Sequence, residues 1–312
     1  MPKPFRGHIG MIQRNAIRSW ILLRPTCDIV LLGDEEGTAE TAREFGLHHI
    51  PFVARNEYGT PLINSIFEQA QAVSKHRLLA YVNADIILFN DFLSSARRIP
   101  FRRFLMVGQR WDLRLEEPLN FSDPDWERKL RDRVRSEGIL LNRSGIDYFA
   151  FTAGLWNEIP PFAIGRTAWD TWLIYGARAR GAAVVDASDA VTIVHQNHDY
   201  SHVTDNVTGT AEMAWHGPEA VRNVNLAGGD TSRFFNIDDA TWELPERGFV
   251  RPVLSVERLM RHSRRLSTLP LPTWRFLLMR EVFSLLLACY GKRLTKHLLQ
   301  RAQRVFSLCL KQ

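Results

Sequence analysis

The sequence predicts an α/β fold with a mostly parallel sheet and flanking helices, on three observations. Short β-rich apolar runs alternate with amphipathic helical stretches over residues 8–82. The spacings between them are short, as in strands joined by crossover helices. One buried run, 78–82, stops on Asn83-Ala84-Asp85. That places a carboxylate at a strand's carboxyl end, where open α/β sheets bind ligands. The same triplet would also suit an ordinary capped turn, so the rest of the chain has to decide.

The elements follow in order. Residues 8–23 read as a helix, with Ile12, Ala16, Trp20 and Leu23 on one face and Pro25 after its end. Residues 28–32 form a strand. Gly33-Asp34 ends it, and Asp34 suits the cap of a helix that runs to Phe45 and stops at Gly46. Residues 50–53 are the next strand. Thr60 and Pro61 suit the start of a helix whose apolar face is Ile63, Ile66, Phe67, Ala70 and Val73. Strand 78–82 follows, then a second apolar run at 86–89.

Regularity then loosens. Residues 104–107 are a strand leading into Gly108-Gln109-Arg110-Trp111-Asp112. Residues 113–145 read as a charged insertion with one helix, 125–137. Strands at 147–151, 183–185 and 191–194 and a helix at 168–180 complete the pattern. The run from His195 to His202 is the densest polar cluster, and 203–250 reads as polar and irregular.

At 312 residues the chain can bury a large core, and 24% charged content is ordinary for a globular protein. Three scattered cysteines exclude a disulfide framework or a cysteine zinc site and fit a reducing, cytoplasmic setting. No apolar run is long enough to span a membrane, and the start lacks the apolar core of a secretory signal. The net charge of +6 hides an asymmetry. Residues 251–312 carry 13 Lys and Arg against 2 Asp and Glu, whereas 1–250 carry 27 against 32. This divides the chain into a mildly acidic domain, 1–250, and a basic helical tail, 251–312. Leu294, Leu298, Ala302, Val305 and Cys309 make an apolar stripe in that tail. It suits either a docked helical pair or a peripheral segment on the inner, anionic face of a membrane. Nothing in the charge pattern calls for nucleic acid.

Three clusters stand where chemistry is expected: Asn83-Ala84-Asp85, Trp169-Asp170-Thr171 and His195 to His202. A carboxylate and histidines from separate strands can hold a divalent ion that neutralises a diphosphate. A carboxylate at a helix start can act as a general base on a hydroxyl or simply complement the helix dipole.

As a set, PKPFRGHIGMIQRNAIRSW, LLGDEEG, ARNEYGTPLINSIF, YVNADIIL, GQRWD, PPFAIGRTAWDTWLIY and VHQNHDYSH resemble nucleotide-sugar glycosyltransferases of the GT-A fold. The resemblance covers roughly residues 2–202 and, more narrowly, is to a group of uncharacterised glycosyltransferase-like proteins. It implies a GT-A-like, Rossmann-like domain that moves a sugar from a nucleoside diphosphate donor to a hydroxyl of a glycan, lipid or small-molecule acceptor, with Mn²⁺ or Mg²⁺. It implies that Asp85 is the metal-binding end of a DxD-like motif in which Asn83 replaces the first Asp. Asp34, Arg55, Asn56, Asn83 and Arg110 fall on the donor nucleotide, His195 or His198 supplies a late metal ligand, and Asp170 is the base of an inverting reaction. The opening strand of such domains has at most residues 2–5 here, so either the start lies upstream or the sheet lacks a strand. A sugar-phosphate nucleotidyltransferase is the alternative within the fold, although its Gly-rich phosphate loop is not visible. A non-catalytic nucleotide- or carbohydrate-binding relative is the alternative outside enzymes.

Overall fold

A computed structural model describes residues 1–198 and 216–270. The chain divides into two compact units, Met1–Arg251 and Pro252–Gln312. Among its described residues the first is α/β, built on three sheets.

Its elements begin with α1 (Gly7–Ile21), β1 (Val30–Leu32), α2 (Thr38–Phe45), β2 (His48–Ile50), α3 (Ile63–Val73), β3 (Leu78–Val82) and β4 (Ile86–Leu88). They continue with α4 (Asp91–Arg97), β5 (Phe104–Val107), β6 (Trp111–Leu113), α5 (Trp126–Glu137), β7 (Ile139–Leu140) and β8 (Tyr148–Thr152). The last are α6 (Trp169–Ala179), β9 (Ala183–Asp186), β10 (Ile193–Gln196), the helix Pro218–Ala227 and β11 (Trp242–Glu243).

Within this unit the larger sheet is ordered β11-β9-β5-β8-β3. A second sheet is ordered β4-β10-β6-β7, and β1 and β2 form a parallel pair of their own. The sheets are mixed, which corrects the expectation of a mostly parallel one. β5, β9 and β11 are mutually parallel, but β8 runs antiparallel to both β3 and β5. The reason lies in residues 113–145. A parallel return needs a crossover helix packed on the same sheet. The helix in this segment, α5, instead buries Leu130 and Val134 against Ile87, Phe89, Leu113 and Val194 of the smaller sheet and its flanks. The chain therefore re-enters the larger sheet in the opposite direction. β8 is buried along its whole length, which matches its unbroken apolar run YFAFT.

Several local expectations shift for identifiable reasons. Helix α2 starts after Gly37, whose φ of 82° needs no side chain, so Asp34 caps nothing there. Pro61 bridges to Arg55, and α3 begins two residues beyond it. β2 lies at His48–Ile50 because its first residue pairs with Val30. β10 extends to Gln196, so His195 is a strand residue and not the first of a loop. The helix Pro218–Ala227 falls where irregular chain was expected. Its buried face is Ala220, Asn223 and Ala227, too small and polar to print a strong apolar period. Residues 2–5 form no strand. Instead the Lys3 N–H donates to Gln13 Oε1 (2.6 Å) and Phe5 N–H to the Glu36 carbonyl (2.9 Å).

Helix α1 locks the smaller sheet to the rest. Trp20 Nε1 donates to the Ile86 carbonyl (2.8 Å), and Ser19 Oγ accepts from Leu88 N–H (3.0 Å). Fully buried Gln196 donates to the carbonyls of Ile12 (2.8 Å) and Asp85 (2.9 Å) and accepts from Asn15 Nδ2 (3.0 Å). Each of these satisfies a backbone or amide group that would cost roughly 1–3 kcal/mol if buried alone.

In the second unit, Val256–Arg265 is a helix carrying His262, Arg264 and Arg265 in its last turn. The apolar stripe expected from Leu294 to Cys309 lies outside the described residues. Among those described, no helix is long and apolar enough to cross a membrane.

Candidate functional site

β3 ends at Val82, and the chain turns through Asn83-Ala84-Asp85 into β4, with Ile86 N–H donating to the Asn83 carbonyl (3.1 Å). β4 pairs antiparallel with β10 in the register Ile86↔His195. That register sets His195 beside Asp85, and His198 follows just beyond the strand.

The three side chains converge. Asp85 Oδ2 is 3.0 Å from His198 Nε2 and 3.7 Å from His195 Nε2. Their potential ligand atoms all lie within 4.8 Å of one another. At 3.7 Å the second approach is too long for a hydrogen bond. Among the described residues, Asp85 Oδ1 is buried without a hydrogen-bond partner. The opposite nitrogen of His195, Nδ1, faces Asp112 Oδ1 at 3.2 Å. A carboxylate behind one ring nitrogen suits a ring whose other nitrogen faces a metal, although this 3.2 Å approach falls outside hydrogen-bond geometry. An orphaned carboxylate oxygen and two imidazoles, one of them so oriented, fit a divalent cation. Burial alone would raise the Asp85 pKa. The His198 hydrogen bond and the charges of His195, His198 and Lys3 outweigh it and hold Asp85 below the usual carboxylate range.

A polar chain runs away from this cluster. Arg110 Nε donates to Asp112 Oδ1 (2.8 Å) and its Nη1 to Asp147 Oδ2 (2.8 Å). Asn83 Nδ2 donates to Asp147 Oδ1 (2.7 Å), and Asn83 Oδ1 accepts from Tyr81 Oη (3.0 Å). Asn83 is therefore committed to Asp147 and Tyr81, and Arg110 to two carboxylates. Asp112 is also held below the usual range: burial opposes this, but its neighbours His195 and Arg110 prevail.

Asp170 lies in the first turn of α6 and accepts from Thr171 N–H (2.8 Å). Burial, then repulsion from Asp147, pushes its pKa up to about 6 against the pull of the Thr171 hydrogen bond. The residue before the helix, Ala168, is buried at φ 83°, a left-handed conformation that costs a side-chain-bearing residue roughly 1 kcal/mol or more. Strain of this kind gathers at sites where position matters.

Asp85, His195, His198, Asn83, Arg110, Asp147 and Asp170 all line one cavity of about 680 Å³. This is the size of a small-molecule site. Lys3 and Arg166 line it too. Arg166 is oriented by Glu219 (2.7 Å from Nη2), whose other oxygen accepts from Asn56 Nδ2 (2.7 Å).

Asp34, Arg55 and Asn56 do not line this cavity. Arg55 pairs with Asp34 (2.7 Å) and Glu35 (3.0 Å), and Asn56 closes its own turn by accepting from Tyr58 and Thr60 N–H groups. Asp112 and Asp147 were missed by sequence reasoning. Asp112 carried a signal: Arg110 and Asp112 are two apart leading into a strand and so share a face. Asp147, at the head of an apolar strand, carried none. His202 lies outside the described residues.

No protein-family model matches this sequence, and no curated protein does.

Proposed function

We propose that the first unit is a cation-assisted glycosyltransferase that moves a sugar from a nucleoside diphosphate donor to a hydroxyl acceptor. The observation that carries this reading is one cavity holding a cation-competent cluster, Asp85, His195 and His198, together with a separate half-buried carboxylate, Asp170. A divalent ion held by those three residues would neutralise the leaving diphosphate. Two imidazoles suit a first-row transition ion better than Mg²⁺, which prefers oxygen ligands. Mn²⁺ is the form we favour.

Asp170 takes the proton from the acceptor hydroxyl. The acceptor oxygen bonds to the anomeric carbon as the bond from that carbon to the diphosphate oxygen breaks, which inverts the centre. A base with a pKa near 6 is ionised at neutral pH and still basic enough to be useful there. Lys3 and Arg166 in the cavity lining add positive charge for an anionic donor. The basic tail, with its excess of 11 positive charges, would hold this domain on an anionic membrane face.

Calorimetric titration of UDP and GDP, with and without Mn²⁺, tests the reading, followed by a hydrolysis screen over nucleotide sugars. Mn²⁺-dependent binding of one nucleotide and turnover of its sugar conjugate are expected. Binding without turnover of any donor would favour a non-catalytic nucleotide-binding protein, and absence of binding would remove the basis for both.

A further inference from the structure

The loop of residues 160–168 carries Arg166 and leads into α6, which opens with Trp169-Asp170. It is paired to the chain that precedes α3: Leu62 and Ala163 bridge, and Ile164 N–H donates to the Pro61 carbonyl (3.0 Å). Further support comes from the helix Pro218–Ala227. Its Glu219, Arg222 and Asn223 are three and four residues apart and so share a face. All three hold the loop. Glu219 accepts from Arg166, and Arg222 Nη1 donates to the Pro161 carbonyl (2.7 Å). Fully buried Asn223 does most. Its Oδ1 accepts from Ala163 N–H (2.9 Å), and its Nδ2 donates to the carbonyls of Ala163 (3.0 Å) and Thr167 (3.0 Å). Both amide hydrogens are thereby used. Asn223 does not itself line the site cavity.

The bond to Thr167 bears most directly on the site. The Thr167 carbonyl belongs to the same planar peptide group as the Ala168 nitrogen. Fixing that carbonyl fixes the plane, and the next rotation along the chain is φ of Ala168. That angle is 83°, a left-handed conformation that a residue with a side chain holds only when its surroundings impose it. The Ala168 carbonyl in turn accepts from Trp172 N–H (2.9 Å) and Thr171 Oγ1 (3.0 Å), which starts α6. Asp170 stands inside this turn. The path from Asn223 to Asp170 is therefore continuous: side-chain amide, Thr167–Ala168 peptide, first turn of α6.

We propose that Asn223 is a positioning residue for Asp170: it pins the Thr167–Ala168 peptide, keeps Ala168 left-handed and so aims the first turn of α6 at the cavity. What Asp170 does in the cavity rests on the transferase reading; where Asn223 holds it does not. Glycine separates this role from plain packing. It adopts left-handed backbone without cost, so at position 168 it needs no outside constraint. A turn that has lost Asn223 should recover its shape when Ala168 becomes glycine, whereas a gap left in packing at position 223 should not.

The test titrates the Asp170 carboxyl by carbon NMR in the full chain. Asn223→Ala removes all three bonds and adds no charge. It should lower the Asp170 pKa from about 6 towards the usual carboxylate range, a change of about tenfold or more in proton affinity, as the turn moves away from Asp147 and into water. Asn223→Ala with Ala168→Gly should recover most of that change. Ala168→Gly alone should leave Asp170 where it is, because Asn223 still holds the turn. An unchanged Asp170 in Asn223→Ala overturns the proposal, and so does a double variant that recovers nothing. A fall in Ala168→Gly alone also overturns it, because the side chain at 168 then sets the turn. If Asn223→Ala does not fold, the double variant decides. Folded with Asp170 near its original value, it supports the proposal; unfolded, it shows that Asn223 holds the fold and not the base. The titration uses neither donor nor acceptor, so its outcome is separate from that of the transferase reading.

Discussion

Asp85 Oδ2 and His198 Nε2 lie 3.0 Å apart, although 113 positions separate the two residues in the chain. The β4–β10 ladder brings them together, and Asp85 Oδ1 is left without a partner among the described residues. Asp85→Asn removes the charge and keeps the shape. Mn²⁺ titration should show affinity falling by more than about 100-fold, beyond the 10–100-fold typical of an outer-shell change. Unchanged affinity would take Asp85 out of the cation site.

Asp112 acts one step further out, through His195 Nδ1 at 3.2 Å. Asp112→Asn frees the His195 ring to rotate or change tautomer. We expect Mn²⁺ affinity to fall about 10–100-fold, with the protein still folded by circular dichroism. A fall as large as that of Asp85→Asn would make Asp112 a ligand itself.

Asp170→Asn should leave donor affinity within a factor of about three and lower transfer by roughly 10²–10⁴-fold. In the unaltered protein kcat should rise with pH through about 6, since the base works only when ionised. A pH-independent rate between 5 and 8 would remove the base role.

The same carboxylate makes a stability prediction of definite sign. Its folded pKa is raised from 3.8 to about 6, so between those values the folded state holds a proton that the unfolded state has lost. Stability therefore falls as pH rises through that window, by on the order of 3 kcal/mol. Asp170→Asn should raise the melting temperature at pH 8 and change it much less at pH 4. Equal shifts at both values would mean that the surroundings of the carboxyl do not raise its pKa.

For the tail, sedimentation with phosphatidylserine vesicles should show binding at low salt that is lost near 0.5 M, where charges separated by more than about 4–5 Å are largely screened. Binding that survives high salt would point to apolar insertion, and no binding at low salt would end the membrane reading.

Much of the site could be read from sequence because it is local. Asp85 lies in the turn that follows a strand, Asp170 opens a helix, and His195 stands at the end of an apolar run. Asp112 and Asp147 are different in kind. Each earns its place through a partner far along the chain, His195 and Asn83, and no periodicity encodes such a pairing. The antiparallel entry of β8 was hidden for a related reason. Its direction depends on which sheet receives α5, and the amphipathic pattern of α5 does not say which. Arg55 shows the converse. It looked available to a ligand, yet Asp34 and Glu35 lie within reach once β1 is paired to β2.

The register Ile86↔His195 has a consequence for how the protein would mature. Sliding β10 by one residue would turn His195 to the opposite side of its sheet and leave Asp85 facing no imidazole from that strand. Were the site to bind a cation, capture would act as a proofreading step on strand alignment: only chains with the right pairing would gain the ion's binding energy. Supplying Mn²⁺ during refolding would enrich the correctly aligned population by mass action.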